Sequence, residues 1–273
     1  MTLFEALTAA RQQIDRLDAR LLLQYATGCS HTDLLARPET RVIAPAHAQF
    51  AEWVARRAAG EPLAYLVGEA EFRGRVFQVS PNVLIPRPET EVLIELALAK
   101  LSGLASPKVL DLGTGSGIVA ISLALECPAA RITAVDLSNE AISVARNNAG
   151  RLGAKIDFRQ SDWFENLAGE YFDLIVSNPP YVAAGDPHLL LNGLPFEPQI
   201  ALTDQVVNGD GLACIRQIVA GAAAHLTPGG WLFFEHGYDQ GAASRNLLTS
   251  AAFKAALTHS DLAGIDRVSG AYL

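Results

Sequence analysis

The chain has 273 residues, 50% hydrophobic and 18% charged, enough to bury one large core or two unequal ones; disorder and a disulfide-stapled miniprotein are excluded. A net charge of −8 argues against a protein that holds long nucleic acid electrostatically. Residues 1–75 balance nine Lys/Arg against nine Asp/Glu, so the acidic excess lies in residues 76–273, where it suits a cationic ligand as well as an ordinary solvated face.

Leu3, Leu7, Ala10, Ile14, Leu17 and Leu21 recur at steps of three and four, which predicts one amphipathic helix over residues 2–26 closed by Gly28. Ser30 suits the cap of a short helix through Ala36, stopped by Pro38. Pro45 fits a helix N1 position ahead of Phe50, Trp53 and Val54, and Gly60 ends that helix. Pro62 opens a further turn from Leu63 to Val67, so residues 1–70 are expected to form a small helical domain. Strand-like composition around Gly74 predicts a hairpin within Glu71–Val79, and residues 71–85 are expected to link two domains.

From residue 86 to 273 the pattern alternates. Val109–Leu112, Ile132–Val135, Ile156–Phe158, Leu174–Ser177 and Trp231–Phe234 read as strands, with helices over 89–101, 117–126, 139–152 and 211–226. That alternation predicts an α/β fold, a doubly wound, mostly parallel sheet with helices on both faces and ligands at the carboxyl ends of its strands.

Cys29, Cys127 and Cys214 are far apart and include no C-x-x-C, so they read as reduced, mostly buried thiols rather than disulfides or zinc ligands. The six histidines lack metal-ligand spacing, and no metal is expected. Glu5, Arg11 and Asp15 interrupt any apolar leader, and no apolar run reaches the ~20 residues of a membrane span. The expectation is a soluble cytoplasmic protein without a membrane partner.

Three segments carry chemistry. Gly113-Thr114-Gly115-Ser116-Gly117 follows a strand and precedes a helix, so its backbone can approach a ligand closely, although tight packing alone would also use such glycines. The G-x-G-x-G spacing is neither the dinucleotide fingerprint nor a phosphate loop. Asp136 ends the next strand and is placed to accept both ribose hydroxyls of a nucleoside, or else to cap a helix. Asp162 and Trp163 follow the third strand and could take an adenine amino group and offer an apolar ring, or be a turn and a core aromatic.

The fourth strand delivers Asn178-Pro179-Pro180-Tyr181 at its carboxyl end. An amide or aromatic amino nitrogen is a poor nucleophile because its lone pair is delocalised. The Asn178 side-chain oxygen and the Pro179 carbonyl can each accept one N–H, which aims the lone pair at an electrophilic methyl. The prolines stiffen the loop, and Tyr181 offers a face for a planar group. A rigid turn is the plainer alternative.

Asp111–Gly117 with Asn178–Tyr181 resembles the S-adenosylmethionine-dependent methyltransferases of the seven-stranded class (class I). Glu61–Tyr65, Leu84–Glu91, Phe196–Pro198, Glu235–Gly237 and Asp261–Val268 are similar to the release-factor glutamine methyltransferases, the HemK/PrmC family, and the likeness covers nearly the whole chain. It implies a seven-stranded sheet with a helical N-terminal domain that engages the protein substrate. It also implies N5-methylation of the glutamine amide in the Gly-Gly-Gln loop of peptide chain release factors, with S-adenosylmethionine as donor and S-adenosylhomocysteine as product. Carried over by motif, Gly113–Gly117, Asp136, Asp162, Trp163 and Asn178 would hold the cofactor, and Asn178 through Tyr181 the glutamine. Arg87, between two prolines, either lines that pocket or ties the hairpin to the sheet. Glu197, Glu235 and His236 are read as structural hydrogen-bonding residues.

Rival readings are weaker. A DNA adenine-N6 methyltransferase would need basic patches and a recognition domain, and this chain has only four lysines. The glycine spacing argues against a nicotinamide dehydrogenase. An intact Asn178-Pro179 counts against a non-catalytic module. A ribosomal-protein glutamine methyltransferase stays open, because its chemistry would be identical and only the N-terminal domain could separate the two.

Overall fold

Thr2 and Glu5 close a reciprocal cap at the start of α1 (Leu3–Ala10) in the computed structural model, which describes residues 1–273. Four more helices follow: α2 (Arg16–Thr27), α3 (His31–Ala36), α4 (Ala44–Ala58) and α5 (Leu63–Val67). With Leu190–Phe196, residues Met1–Glu69 form one of two compact units. The single helix expected over 2–26 is two, because the Asp15 side chain accepts from Leu17 N at 2.7 Å and caps a fresh start. The break resets the helical phase: Leu17 is exposed, while Ala19, Leu22 and Leu23 are buried. Ser30 and Asp33 form the capping box of α3, and Pro45 lies in the first turn of α4. Leu3, Leu22, Leu23, Phe50 and Val54 share the core of this unit.

The second unit comprises Ala70–Leu189 and Glu197–Leu273. Strands β1 (Glu69–Phe72) and β2 (Arg75–Gln78) make the hairpin, turned by Arg73 and Gly74 at φ 49° and 69°. Expected as a linker, the hairpin instead belongs to the core of the larger unit. Phe72 and Phe77 share a cluster with Leu93 and Ile94 of α6 (Thr90–Leu101), and the Asn148 amide pairs with both the N–H and the carbonyl of Gln78. Two buried aromatic side chains are too much apolar surface for a free connector.

Then follow β3 (Lys108–Leu112), α7 (Ile118–Glu126), β4 (Arg131–Asp136), α8 (Asn139–Leu152), β5 (Ile156–Gln160) and β6 (Phe172–Ser177). After them come β7 (Val182–Ala184), α9 (Gln199–Leu202), β8 (Thr203–Val207), α10 (Ala213–Ala222), β9 (Leu226–Glu235), α11 (Gly241–Ser250), β10 (Lys254–Ser260) and β11 (Asp266–Tyr272). Seven strands form one sheet in the order β10-β11-β9-β6-β3-β4-β5, parallel except that β11 runs antiparallel to both neighbours. Val109 and Leu110 fall into different core clusters, as successive strand residues must when helices cover both faces. The helix expected over 211–226 is shorter, because Leu226 pairs with Phe172 and already belongs to β9.

The topology places the site. From β3 the chain steps outward through β4 and β5, then returns to β6 on the other side of β3. Loops leaving β3 and β6 therefore diverge and open a crevice at the carboxyl ends of the sheet. No helix is long and apolar enough to cross a membrane. The three cysteines are unpaired and half-buried, more accessible than expected.

Candidate active site at the carboxyl ends of the sheet

The turn after β3 is held from behind and open in front. Gly113 N and Thr114 N both donate to the Val135 carbonyl at 2.9 Å, tying the turn to β4. Gly113, Gly115 and Gly117 take φ of 70°, 55° and 85°, a region costly for other residues. Their surroundings differ: a Cβ on Gly115 would meet nothing within 4 Å, whereas one on Gly117 would lie 2.9 Å from Ile121 Cδ1 and 3.2 Å from Ala145 Cβ. Gly117 thus serves helix packing, and Gly115 borders free space.

Asp111, inside β3, accepts from Thr114 Oγ1 at 2.7 Å and from Ala120 N at 3.2 Å. Burial pushes its carboxyl up to about 7, against the pull of those two donors. The motif contained this residue without assigning it a role. The signal was there, since an acid inside an otherwise apolar strand needs internal partners.

Asp136 ends β4, with Oδ2 accepting from Gly115 N at 2.8 Å and Oδ1 from Ser138 N at 2.9 Å. Burial raises its carboxyl above the ordinary range, and the backbone donors oppose that shift. Ser161 N donates to the Asp136 carbonyl, which draws the loop carrying Asp162 and Trp163 alongside. Trp163 stands at φ 43°, donates from Nε1 to Gln217 Oε1 at 2.7 Å, and brings a ring edge 3.7 Å from where a Gly113 Cβ would sit. Asp162 is exposed.

Beyond β6, Asn178 Nδ2 donates to Thr90 Oγ1 at 3.1 Å, and Thr90 Oγ1 donates to Glu235 Oε2 at 2.8 Å. The Tyr181 hydroxyl donates to Glu235 Oε1 at 3.0 Å. Glu235 is fully buried, and desolvation pushes its carboxyl up to about 7 despite both donors. Sequence pattern alone points to neither Glu235 nor Thr90 at this place, yet both are linked to the Asn178–Tyr181 loop.

A cavity of about 290 Å³ joins these loops, lined by Gly113 through Ser116, Asp136, Asp162, Trp163, Asn178, Pro180 and Arg87. Gly117, Pro179 and Tyr181 are not among its lining residues. The face expected of Tyr181 is thus not presented to the cavity, because its hydroxyl is drawn inward to Glu235. Arg87 lines the cavity, and its Nη2 donates to Glu197 Oε1 while Glu197 Oε2 accepts from Ile85 N at 3.0 Å, so the bond ties Arg87 to a loop rather than the hairpin to the sheet.

Residues 3–68 match the PrmC N-terminal domain model and residues 89–192 the methyltransferase small domain model. A release factor glutamine methyltransferase of Bordetella pertussis is 50% identical over 275 residues, covering 100% of both chains. One of Burkholderia pseudomallei is 52% identical over 267 residues, covering 95% of this chain and 93% of its own. The fold is shared with a 16S rRNA methyltransferase of T. thermophilus solved with AdoMet and guanosine, at TM-score 0.56 and 23% identity over 75% of this chain and 49% of that one. The seven-stranded sheet is that of class I S-adenosylmethionine-dependent methyltransferases, and the chain belongs to the release factor glutamine methyltransferase family.

Proposed function

We propose that the protein methylates the side-chain amide nitrogen of glutamine in the Gly-Gly-Gln loop of peptide chain release factors, using S-adenosylmethionine. The observation that carries this reading is one cavity bordered both by the Gly113–Ser116 turn with Asp136 and by Asn178.

The residues present fit the cofactor. Each Asp136 oxygen accepts one backbone N–H, and a carboxylate oxygen has room for a second donor, so both can take a ribose hydroxyl. Gly115 leaves open space where a side chain would stand, and Trp163 and Asp162 line the far side for a base. When bound, S-adenosylmethionine supplies a methyl on a cationic sulfur.

The chain's own residues orient the nucleophile. Asn178 Oδ1, on the cavity wall, accepts an amide hydrogen of the substrate glutamine, which reduces lone-pair delocalisation and points the nitrogen at the methyl. Pro179 and Pro180 limit backbone freedom, and Tyr181, anchored on Glu235, holds the loop's far end. Arg87, fixed by Glu197, bounds the glutamine pocket. As the nitrogen–carbon bond forms, the methyl–sulfur bond would break with S-adenosylhomocysteine as leaving group, and the methylated nitrogen, now acidic, then loses a proton to water. Displacement at a methyl group needs no metal and no covalent enzyme intermediate. The helical unit supplies the surface for the release factor, and the setting is the cytoplasm, where translation ends.

The test is mass spectrometry of an unmodified release factor incubated with the protein and S-adenosylmethionine. One added methyl on the Gly-Gly-Gln glutamine, absent with Asn178→Ala, is expected. An unmodified release factor with the cofactor still bound overturns the substrate and redirects it to a ribosomal protein or a nucleic-acid amino group.

A further inference from the structure

In the parallel pair β6 and β9, Ser177 stands opposite Phe234. The next residues, Asn178 and Glu235, therefore emerge side by side at the carboxyl ends of the two strands. Thr90, the first residue of α6, drops its hydroxyl between them and is itself fully buried.

Counting hydrogens fixes the direction of this chain. An ionised carboxylate only accepts. Glu235 Oε1 is taken by the Tyr181 hydroxyl and Oε2 by the Thr90 hydroxyl, so Thr90 has spent its one hydrogen on Glu235. Toward Asn178 the Thr90 oxygen has only lone pairs to offer, so the Asn178 NH2 must face Thr90. The Asn178 oxygen is then turned away from Thr90, on a residue that lines the cavity.

We propose that Glu235 and Thr90 are positioning residues for methyl transfer: the buried carboxylate orders the hydroxyl of Thr90, and Thr90 locks the Asn178 amide with its oxygen toward the substrate nitrogen. This rests on the reading above that Asn178 receives the glutamine amide. If Glu235 is protonated, its hydrogen goes to Thr90, and Thr90 is free to donate to the Asn178 oxygen. The amide then rotates by half a turn and presents NH2 where an acceptor is required. Donor meets donor, and the glutamine is no longer oriented.

The groups around Glu235 bear on when that happens. Glu89, just ahead of α6, disfavours its charge, and Arg267 on β11 favours it. Tyr181 contributes a hydrogen bond from the catalytic loop. His236, the next residue, is turned away, bonded to Ser269 Oγ and the Gly237 carbonyl. Desolvation dominates and places the carboxyl near 7, so both states are reachable around neutrality.

The test compares wild type, Thr90→Val, Thr90→Ser and Glu235→Gln by kcat against pH at saturating cofactor, with cofactor Kd measured by calorimetry. Thr90→Val should lose about 10- to 100-fold in kcat, as expected for a misplaced orienting group, with Kd within about two-fold. Thr90→Ser should restore kcat, because it returns the hydroxyl. Wild-type kcat should fall below about pH 7, and Glu235→Gln should lack that limb. A substrate-free readout stands beside these: in wild type at pH 8 the Asn178 amide protons should show a nuclear Overhauser contact to the Thr90 side chain. Thr90→Val at wild-type kcat, a loss carried by Kd instead, a wild-type acid limb retained in Glu235→Gln, or no such contact each overturn the proposal. A wild-type enzyme that leaves the release factor unmodified overturns the function proposed above, and the Overhauser contact then decides this one alone.

Discussion

The Asp136 carboxylate accepts the backbone N–H of Gly115 at 2.8 Å, joining the acid that ends β4 to the middle of the turn that follows β3. One side chain thereby shapes the turn and keeps lone pairs for a ligand. Asp136→Ala should weaken S-adenosylmethionine binding by about 1–3 kcal/mol, the cost of leaving hydroxyl donors and the Gly115 N–H unpaired. Titration calorimetry measures this, and unchanged affinity would remove Asp136 from the cofactor site.

Asn178 should behave in the opposite way. Its NH2 is committed to Thr90, so truncation removes substrate orientation rather than cofactor contact. Asn178→Ala is expected to abolish methyl transfer while cofactor affinity stays within a few-fold. Equal losses of cofactor affinity in Asn178→Ala and Asp136→Ala would contradict this division of roles.

The glycines of the turn should separate stability from binding. Gly117→Ala places a Cβ 2.9 Å from Ile121 Cδ1 at φ 85°, so both packing and backbone resist it. A loss of about 1–3 kcal/mol is expected, visible as a lower Tm. Gly115→Ala meets nothing within 4 Å, so its stability cost is limited to the backbone, about 1 kcal/mol. The new methyl projects into the open space the cofactor would fill, and affinity should drop well beyond that. The reverse pattern in calorimetry and thermal melts would refute the assignment.

Asp111 gives a pH dependence with a definite sign. Burial raises its carboxyl from 3.8 in the unfolded chain to about 7 in the fold, so between those values the folded protein binds more protons. Its contribution to stability is fully present below about pH 4 and is lost as pH rises through about 7. Asp111→Asn lacks this loss. Relative to wild type, the variant should gain about 2–4 kcal/mol between pH 4 and pH 8, whatever its offset. Urea denaturation across that range checks it; a variant that falls behind as pH rises would show that Asp111 is stabilised as the anion.

Much of the site was legible because its pieces are local. Gly113 through Ser116, the acid closing the next strand, and Asn178 with Pro180 line one cavity and each lie within a few residues of a strand end, where chain direction alone points them to one edge; Gly117, Pro179 and Tyr181 share those motifs without reaching the cavity. Capping at Ser30 was likewise a matter of three residues. The continuous periodicity over 2–26 hides two helices, because it survives a break that a single capping Asp15 introduces. Strands β10 and β11 were not picked out by pattern: β10 is exposed or half-buried throughout and shows no clean alternation of apolar residues.

The reaction class was legible in short motifs at the strand ends, through the family resemblance they carry. Which distant side chains complete them follows from packing far along the chain. Thr90 and Glu235 lie 145 positions apart, and Thr90 and Asn178 lie 88 apart. They meet because the register of β6 on β9 sets Asn178 beside Glu235 and α6 begins over that gap. Strand register is fixed by packing on both faces of the sheet, a sum over many weak contacts that no local spacing encodes.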